Sequence, residues 1–220
     1  MMTPAYEALI FDMDGVLADS EPVYYAAMQS TLAPLGIEIT DEHQRAVMGS
    51  SIENTWRYFA ETFDLKGPLD TLIDSYDLQL RSLLADVHET LPGVRQLIPQ
   101  LRQRRIPIAV ASSSLPEWID ALLIGLGLQD AFDAAVSARE AGASKPAPDV
   151  YLLAAHRLNA DHTRCIAVED TPTGLASAKA AGMYVVQVRS ASSAFPPLAG
   201  TDLILESLLD FPLTLLDTPT

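Results

Sequence analysis

The sequence predicts an α/β fold, a doubly wound parallel sheet with a block of helices inserted after its first strand. Three observations predict it. Ala8-Leu9-Ile10-Phe11 is an unbroken apolar run, as expected of a strand buried on both faces. From Glu21 to about Asp86 the periodicity is helical, almost without strand-like runs. From Leu91-Pro92-Gly93 onward strand and helix patterns alternate, which implies parallel strands covered by crossover helices.

In the helical block, Ser20 fits an N-cap with Pro22 in the first turn, opening a helix to about Leu35 that stops at Gly36. Ser50-Ser51-Ile52-Glu53 fits a capping box for a helix through Trp56, Phe59 and Phe63. Gly67-Pro68 breaks the chain, and the next helix carries Leu69, Leu72, Ile73, Tyr76, Leu80 and Leu84. In the alternating part, a helix from Val94 to Arg104 precedes a strand from Ile106 to Ala111. A helix after Pro116 ends near Gly125 or Gly127, and Asp133 to Ser137 forms a short strand. Pro148 opens a helix through Leu158, before the strand Cys165 to Val168. Thr171-Pro172 pairs an N-cap with a first-turn proline for a helix ending at Gly182. Tyr184 to Val188 and Leu203 to Leu205 complete the strands, the last at a sheet edge. Residues 1–18 and 90–220 then form a sheet domain, and 19–89 a helical one.

With 220 residues and 49% hydrophobic composition the chain can bury a sizeable core. Its net charge of -15, from 14 Lys+Arg against 29 Asp+Glu, argues against nucleic acid and anionic membrane surfaces as partners. Cys165 is the single cysteine, so no intrachain disulfide forms, and it reads as a core thiol. Met1-Met2-Thr3-Pro4 lacks the basic and apolar segments of a secretory signal, and no apolar run reaches the length of a membrane span, so a cytoplasmic location is expected. His43, His88, His156 and His162 show no metal-ligand spacing. Trp56, Trp118 and the Tyr24-Tyr25 pair read as packing aromatics.

Polar groups gather where the strands end. Asp12 and Asp14 follow the first strand, where open α/β sheets place their ligands, and two residues apart on extended chain they would point the same way. Two such carboxylates repel unless a hard cation such as Mg²⁺ separates them. A plain Asp14-Gly15 turn is the alternative. Ser112-Ser113-Ser114 ends the second strand with hydroxyls and backbone N–H groups that suit a phosphate, or a simple helix cap. Lys145 precedes a further helix and could balance an anion, or be solvated surface. Glu169-Asp170 ends another strand, as a second acidic pair of a Mg²⁺ site or as acids favouring a helix start.

In this order, and each at a strand end, these residues make the chain resemble the haloacid dehalogenase-like hydrolase superfamily. The branch is that of β-phosphoglucomutase and phosphoglycolate phosphatase, with a Rossmann-like core and a helical cap. The segments Asp12-Met13-Asp14-Gly15-Val16-Leu17-Ala18-Asp19-Ser20 and Val168-Glu169-Asp170-Thr171-Pro172-Thr173-Gly174 carry the resemblance, which spans about Tyr6 to Leu209. It implies that Asp12 is the nucleophile forming an aspartyl-phosphate, and Asp14 the acid and base. It implies that Ser112, with Ser113, and Lys145 hold the substrate phosphate. It implies a Mg²⁺ site on Asp12, Asp14 (through its backbone carbonyl), Glu169 and Asp170. Four carboxylates against Mg²⁺ and Lys145 leave one net negative charge, which protonation of Asp14 removes before a phosphomonoester enters.

The mutases of this branch grip a distal phosphate with an arginine of the cap loop and carry a histidine in the first cap helix. Here the loop reads Gly49-Ser50-Ser51-Ile52, and the helix position is Tyr24. Arg57 could in principle compensate, although the sequence does not place it. The expected activity is therefore hydrolysis of a small phosphorylated metabolite (a sugar phosphate, polyol phosphate or phosphoglycolate) by a monomer or weak dimer. The alternatives are a phosphomutase and, in another class, an inactive binding or regulatory protein. Dehalogenation is disfavoured, because dehalogenases lack the acid that Asp14 supplies.

Overall fold

The computed structural model describes residues 6–47, 52–191 and 194–217. Six strands form one parallel sheet: β1 Ala8–Phe11, β2 Ile108–Ser112, β3 Ala134–Ser137, β4 Cys165–Glu169, β5 Tyr184–Val188 and β6 Leu203–Leu205. Their order is β3-β2-β1-β4-β5-β6. The order reverses at β1, which pairs with β2 on one side and with β4 on the other. The loops after β2, β1 and β4 therefore lie side by side at one sheet edge, where ligands of such sheets bind.

Helices α1 Glu21–Leu32, α2 Asp41–Val47, α3 Ile52–Thr62 and α4 Leu69–Ala85 fall between β1 and β2, with α5 Val94–Gln103 leading back to the sheet. The remaining helices are α6 Pro116–Gly125, α7 Ala138–Ala141, α8 Asp149–Arg157 and α9 Pro172–Ala180. β2 begins at Ile108, two residues later than the sequence pattern suggests, because Ile106 N–H closes a turn onto the carbonyl of Leu101. The expected capping box at Ser50-Ser51 lies outside the described residues, although the helix it was to open is present. Thr171 caps α9 as expected, its hydroxyl accepting from Gly174 N–H at 3.1 Å. Helix α7 carries a capping box on Ser137 and Glu140 that the sequence reading passed over.

The strands alternate large and small residues, and this divides the core. One face presents Leu9, Phe11, Ile108, Val110, Ile166 and Val168 to an apolar cluster that runs on into Leu80, Leu84 and Trp118, so the inserted helices share a core with the sheet. Helix α4 packs on both α1 and α6. The other face is lined by Ala8, Ala109, Ala111 and Ala167 and receives Val150, Tyr151, Ala154 and Ala155 of α8. Cys165 lies buried in β4, and burial pushes its thiol up to about 12, with Glu7 and Asp161 adding to the shift. Among the described residues, no helix is long and apolar enough to cross a membrane.

Candidate active site

β1 ends at Phe11, so Asp12 and Asp14 stand on the loop beyond the strand rather than on extended chain as the sequence pattern implied. Asp12 N–H still donates to the Val168 carbonyl at 2.9 Å, which carries the sheet's spacing one residue further. The loop then turns back through Gly15, at φ +75, whose N–H bonds Ala18 O at 2.9 Å. A Cβ on Gly15 would run into the Asp170 carboxylate, so glycine is needed both for the turn and for the close approach.

Asp12 is buried among charges. The Lys145 ammonium donates to Asp12 Oδ1 at 2.7 Å and to Glu169 Oε1 at 2.5 Å, joining the β1, β4 and Lys145 loops. Asp12, Glu169 and Asp170 each offer an oxygen within 4.8 Å of the others. Burial, with Glu169 and Asp14 adding to it, raises the Asp12 carboxyl to about 7 even against the pull of Lys145. Burial, then the charges of Asp12 and Glu169, raise Asp170 to about 9. For Lys145 burial works to lower the pKa, and the carboxylates of Asp12 and Glu169 outweigh it and hold the ammonium charged. Three carboxylates face one lysine, and Asp170 Oδ1 is buried with no hydrogen-bond partner. A crowded, all-oxygen donor set with an unpaired buried oxygen fits a hard divalent cation.

Glu169 is the most heavily bonded of the three. Oε1 accepts from Lys145 and, at 2.6 Å, from the Tyr151 hydroxyl. Oε2 accepts from Asp170 N–H at 3.1 Å, Thr171 N–H at 3.4 Å and Thr171 Oγ1 at 3.3 Å. A side chain at Gly174 would collide with this carboxylate, so the first turn of α9 passes directly over it.

Asp14 turns away from that cluster toward neutral hydroxyls. Ser20 donates to its Oδ1 at 2.5 Å, and Ser114 to its Oδ2 at 3.1 Å, while the Tyr24 hydroxyl lies 3.4 Å from Oδ2 and 2.9 Å from Ser114 Oγ. Burial raises the Asp14 carboxyl above the usual carboxylate range, and these hydroxyls only partly offset it. The Ser20 side chain therefore does not cap α1 as expected, because its hydroxyl serves Asp14 instead, and only its carbonyl accepts from Val23 and Tyr24 N–H. Tyr24, read from the sequence as packing, does pack edge-on to Trp118 at 6.0 Å, yet its hydroxyl reaches the acid.

Ser112 is buried at the end of β2, and its Oγ accepts from Ser114 N–H at 3.0 Å, shaping the loop. Ser137 Oγ fastens the same loop by donating to Ser114 O at 2.6 Å. Ser113 is exposed at the loop's tip. Arg57 bonds Asn54 on the exposed side of α3, and Ile52 is part-buried. Ser20, Tyr24 and Tyr151 stand in the site although their sequence pattern points to a cap and to packing, and Ser114, within the stretch expected to suit a phosphate, serves Asp14 instead. A hydroxyl two residues past Ser112 was a visible signal, whereas the reach of Tyr24 and Tyr151 depends on helix packing.

A family model for haloacid dehalogenase-like hydrolases matches residues 9–188. The chain belongs to that family. It is an enzyme, a hydrolase of the phosphatase type. It is similar to the fructose-1-phosphate phosphatase YqaB of Escherichia coli (strain K12), 38% identical over 191 residues, 86% of this chain and 99% of that protein. It is also similar to the beta-phosphoglucomutase of Bacillus subtilis (strain 168), 29% identical over 217 residues, 96% of this chain and 93% of that protein. Among solved structures it resembles CbbY of Rhodobacter sphaeroides in complex with phosphate, with a TM-score of 0.79 at 26% identity over 97% of this chain and 100% of that one. The Rossmann-like sheet of this family member is the one described above.

Proposed function

We propose that this chain is a Mg²⁺-dependent phosphatase of small sugar or polyol phosphates that works through a phosphorylated Asp12. The observation that carries the reading is the Lys145–Asp12 contact at 2.7 Å beside the unpartnered Oδ1 of Asp170. Asp12, Asp170 and the Asp14 backbone carbonyl, with Glu169 alongside, would hold the cation, which when bound neutralises phosphoryl charge. Lys145 pulls the Asp12 carboxyl toward its ionised form against burial, aims it, and offers its ammonium to the entering phosphate. The Ser112 hydroxyl and the N–H groups of the loop through Ser113 complete the cradle. Asp14, whose pKa burial raises, would give a proton to the leaving oxygen and afterwards take one from the water that attacks the aspartyl-phosphate. Positioning and charge neutralisation are most of what such a transfer asks of a protein.

We further assign residues 19–89 the role of a cap over this edge, shaping the pocket for the alcohol. Hydrolysis rather than transfer within a sugar is supported by Ile52, which brings no charge, and by Tyr24, whose hydroxyl is committed to Ser114 and Asp14. The name of the fructose-1-phosphate phosphatase relative supports a sugar phosphate as substrate. The test is phosphate release from a panel of phosphorylated sugars, polyols and phosphoglycolate, with Mg²⁺ and with excess EDTA. Release that needs Mg²⁺ is expected. Unchanged release in EDTA would overturn the metal, and conversion of β-glucose 1-phosphate to the 6-phosphate without free phosphate would overturn hydrolysis.

A further inference from the structure

We propose that Tyr151 is a positioning residue, holding Glu169 so that Lys145 stays on Asp12 at the angle that receives phosphate. The proposal rests on the assignment of Asp12 and Lys145 above and concerns a residue 6 positions after Lys145 and 18 before Glu169.

The geometry is a closed triangle. Lys145 Nζ donates to Glu169 Oε1 at 2.5 Å, Tyr151 Oη donates to the same oxygen at 2.6 Å, and Nζ to Oη is 3.4 Å. A tyrosine hydroxyl has one proton to give. That proton goes to Glu169, so toward Lys145 the hydroxyl presents a lone pair. The ammonium has three protons, and Asp12, Glu169 and Tyr151 accept from it. It also lies 5.0 Å from the centre of the Tyr151 ring, within range of the ring's negative face.

Both oxygens of Glu169 are filled: two donors on Oε1, three on Oε2. Glu169 and Tyr151 are essentially inaccessible, at 1% and 0% exposed, so no water replaces a lost donor freely. Without the hydroxyl, Oε1 would keep one donor, Lys145, and hold it more tightly. The ammonium would then be drawn from Asp12 toward Glu169. Lysine shared between two carboxylates can swing to a phosphate only if neither grips it alone, and the second donor on Oε1 keeps that balance. The sequence supports a dedicated role, because α8 otherwise faces the sheet with small or aliphatic residues, Val150, Ala154 and Ala155.

The test is Tyr151→Phe, which keeps the ring and its contact with the ammonium, combined with Glu169→Gln in a double-mutant cycle. We expect Tyr151→Phe to lower kcat about tenfold with KM within twofold, and in the Glu169→Gln background to have less than a twofold effect. A merely structural tyrosine would give equal losses in both backgrounds, or a lower melting temperature with kcat intact, and either result overturns the proposal. A second measurement needs no turnover: the ¹⁵N-labelled side-chain ammonium of Lys145 is expected to shift its resonance in Tyr151→Phe, and an unmoved resonance counts against it equally. If the wild-type chain releases no phosphate from any substrate, the functional reading fails while this resonance still decides the role of Tyr151.

Discussion

Around Asp12 the partners are charged: Lys145 at 2.7 Å, with Glu169 and Asp170 in the same buried cluster. Around Asp14, two residues on, they are the neutral hydroxyls of Ser20, Ser114 and Tyr24. Burial raises both carboxyls, but one is countered chiefly by the charge of Lys145 and the other chiefly by hydrogen bonds from hydroxyls, with a smaller pull from Lys145. The difference suits two tasks. A nucleophile must be ionised, and an ammonium or metal enforces that. An acid must keep a proton and later take one back, and neutral donors leave that exchange open.

The two halves respond to substitution on different scales. Asp12→Asn replaces the proposed attacking carboxylate by a non-nucleophilic amide, so turnover should fall by roughly 10⁴-fold or more, and full activity in the purified variant would refute the nucleophile. Lys145→Ala leaves a buried anionic cluster without its cation. A contact near 4 Å at an effective dielectric of about 20 is worth about 4 kcal/mol, or about a thousandfold in rate. A loss under tenfold would mean that the charged half is not organised by Lys145. Asp14→Asn should cost roughly 10²-fold while Mg²⁺ affinity, followed by calorimetry, stays within a factor of about three. A large drop in metal affinity would show that the Asp14 side chain belongs to the charged half.

The metal-free chain offers a test by pH. Folded Asp12 and Asp170, raised to about 7 and about 9, hold protons that the unfolded chain gives up near pH ~4. The unfolded state then binds fewer protons than the folded one, so stability falls as pH rises between about 4 and 9. The melting temperature without metal should decline from pH 5 to pH 9, and Mg²⁺ should restore more at the upper end than at the lower. A flat profile would argue that the cluster is not an uncompensated one. The smallest effect belongs to the neutral half: Tyr24→Phe deletes one hydroxyl from the Asp14 cage, and a neutral hydrogen bond of about 1 kcal/mol predicts a loss of about fivefold in kcat. A loss above a hundredfold would make Tyr24 a participant rather than a support.

Asp12, Glu169 and Asp170 were legible in the sequence because they stand at the ends of β1 and β4, and strand ends are set by apolar runs that can be read. They meet because β1 lies beside β4, an order that the alternating pattern alone does not fix, and Lys145 reaches them from the loop between α7 and α8 rather than from a strand end as expected. The neutral half was legible only in part. Ser20 looked like a helix cap, and nothing local reveals that its hydroxyl would choose a carboxylate six residues back over the backbone of α1. Tyr24 reaches Ser114 across 90 positions of sequence, through the packing of an inserted helix on the sheet, and periodicity does not encode that distance. Arg57, a candidate cation by sequence, points to Asn54 on its own helix for the same reason.

The alanine-lined face of the sheet has a bearing on how this protein can change. Ala8, Ala109 and Ala111 let α8 lie close enough for Tyr151 to touch Glu169. Overpacking at such positions typically costs 1–3 kcal/mol and shifts the backbone that lies against them. A drift to valine or isoleucine there would pass, in a stability screen, for an ordinary core substitution. Its larger consequence would be felt at the site, as a tyrosine carried out of reach of the carboxylate that bonds Lys145. The opposite face, filled by leucine, isoleucine, valine and phenylalanine, bears on the other half of the site, because Tyr24 packs against that core and reaches Asp14 from it.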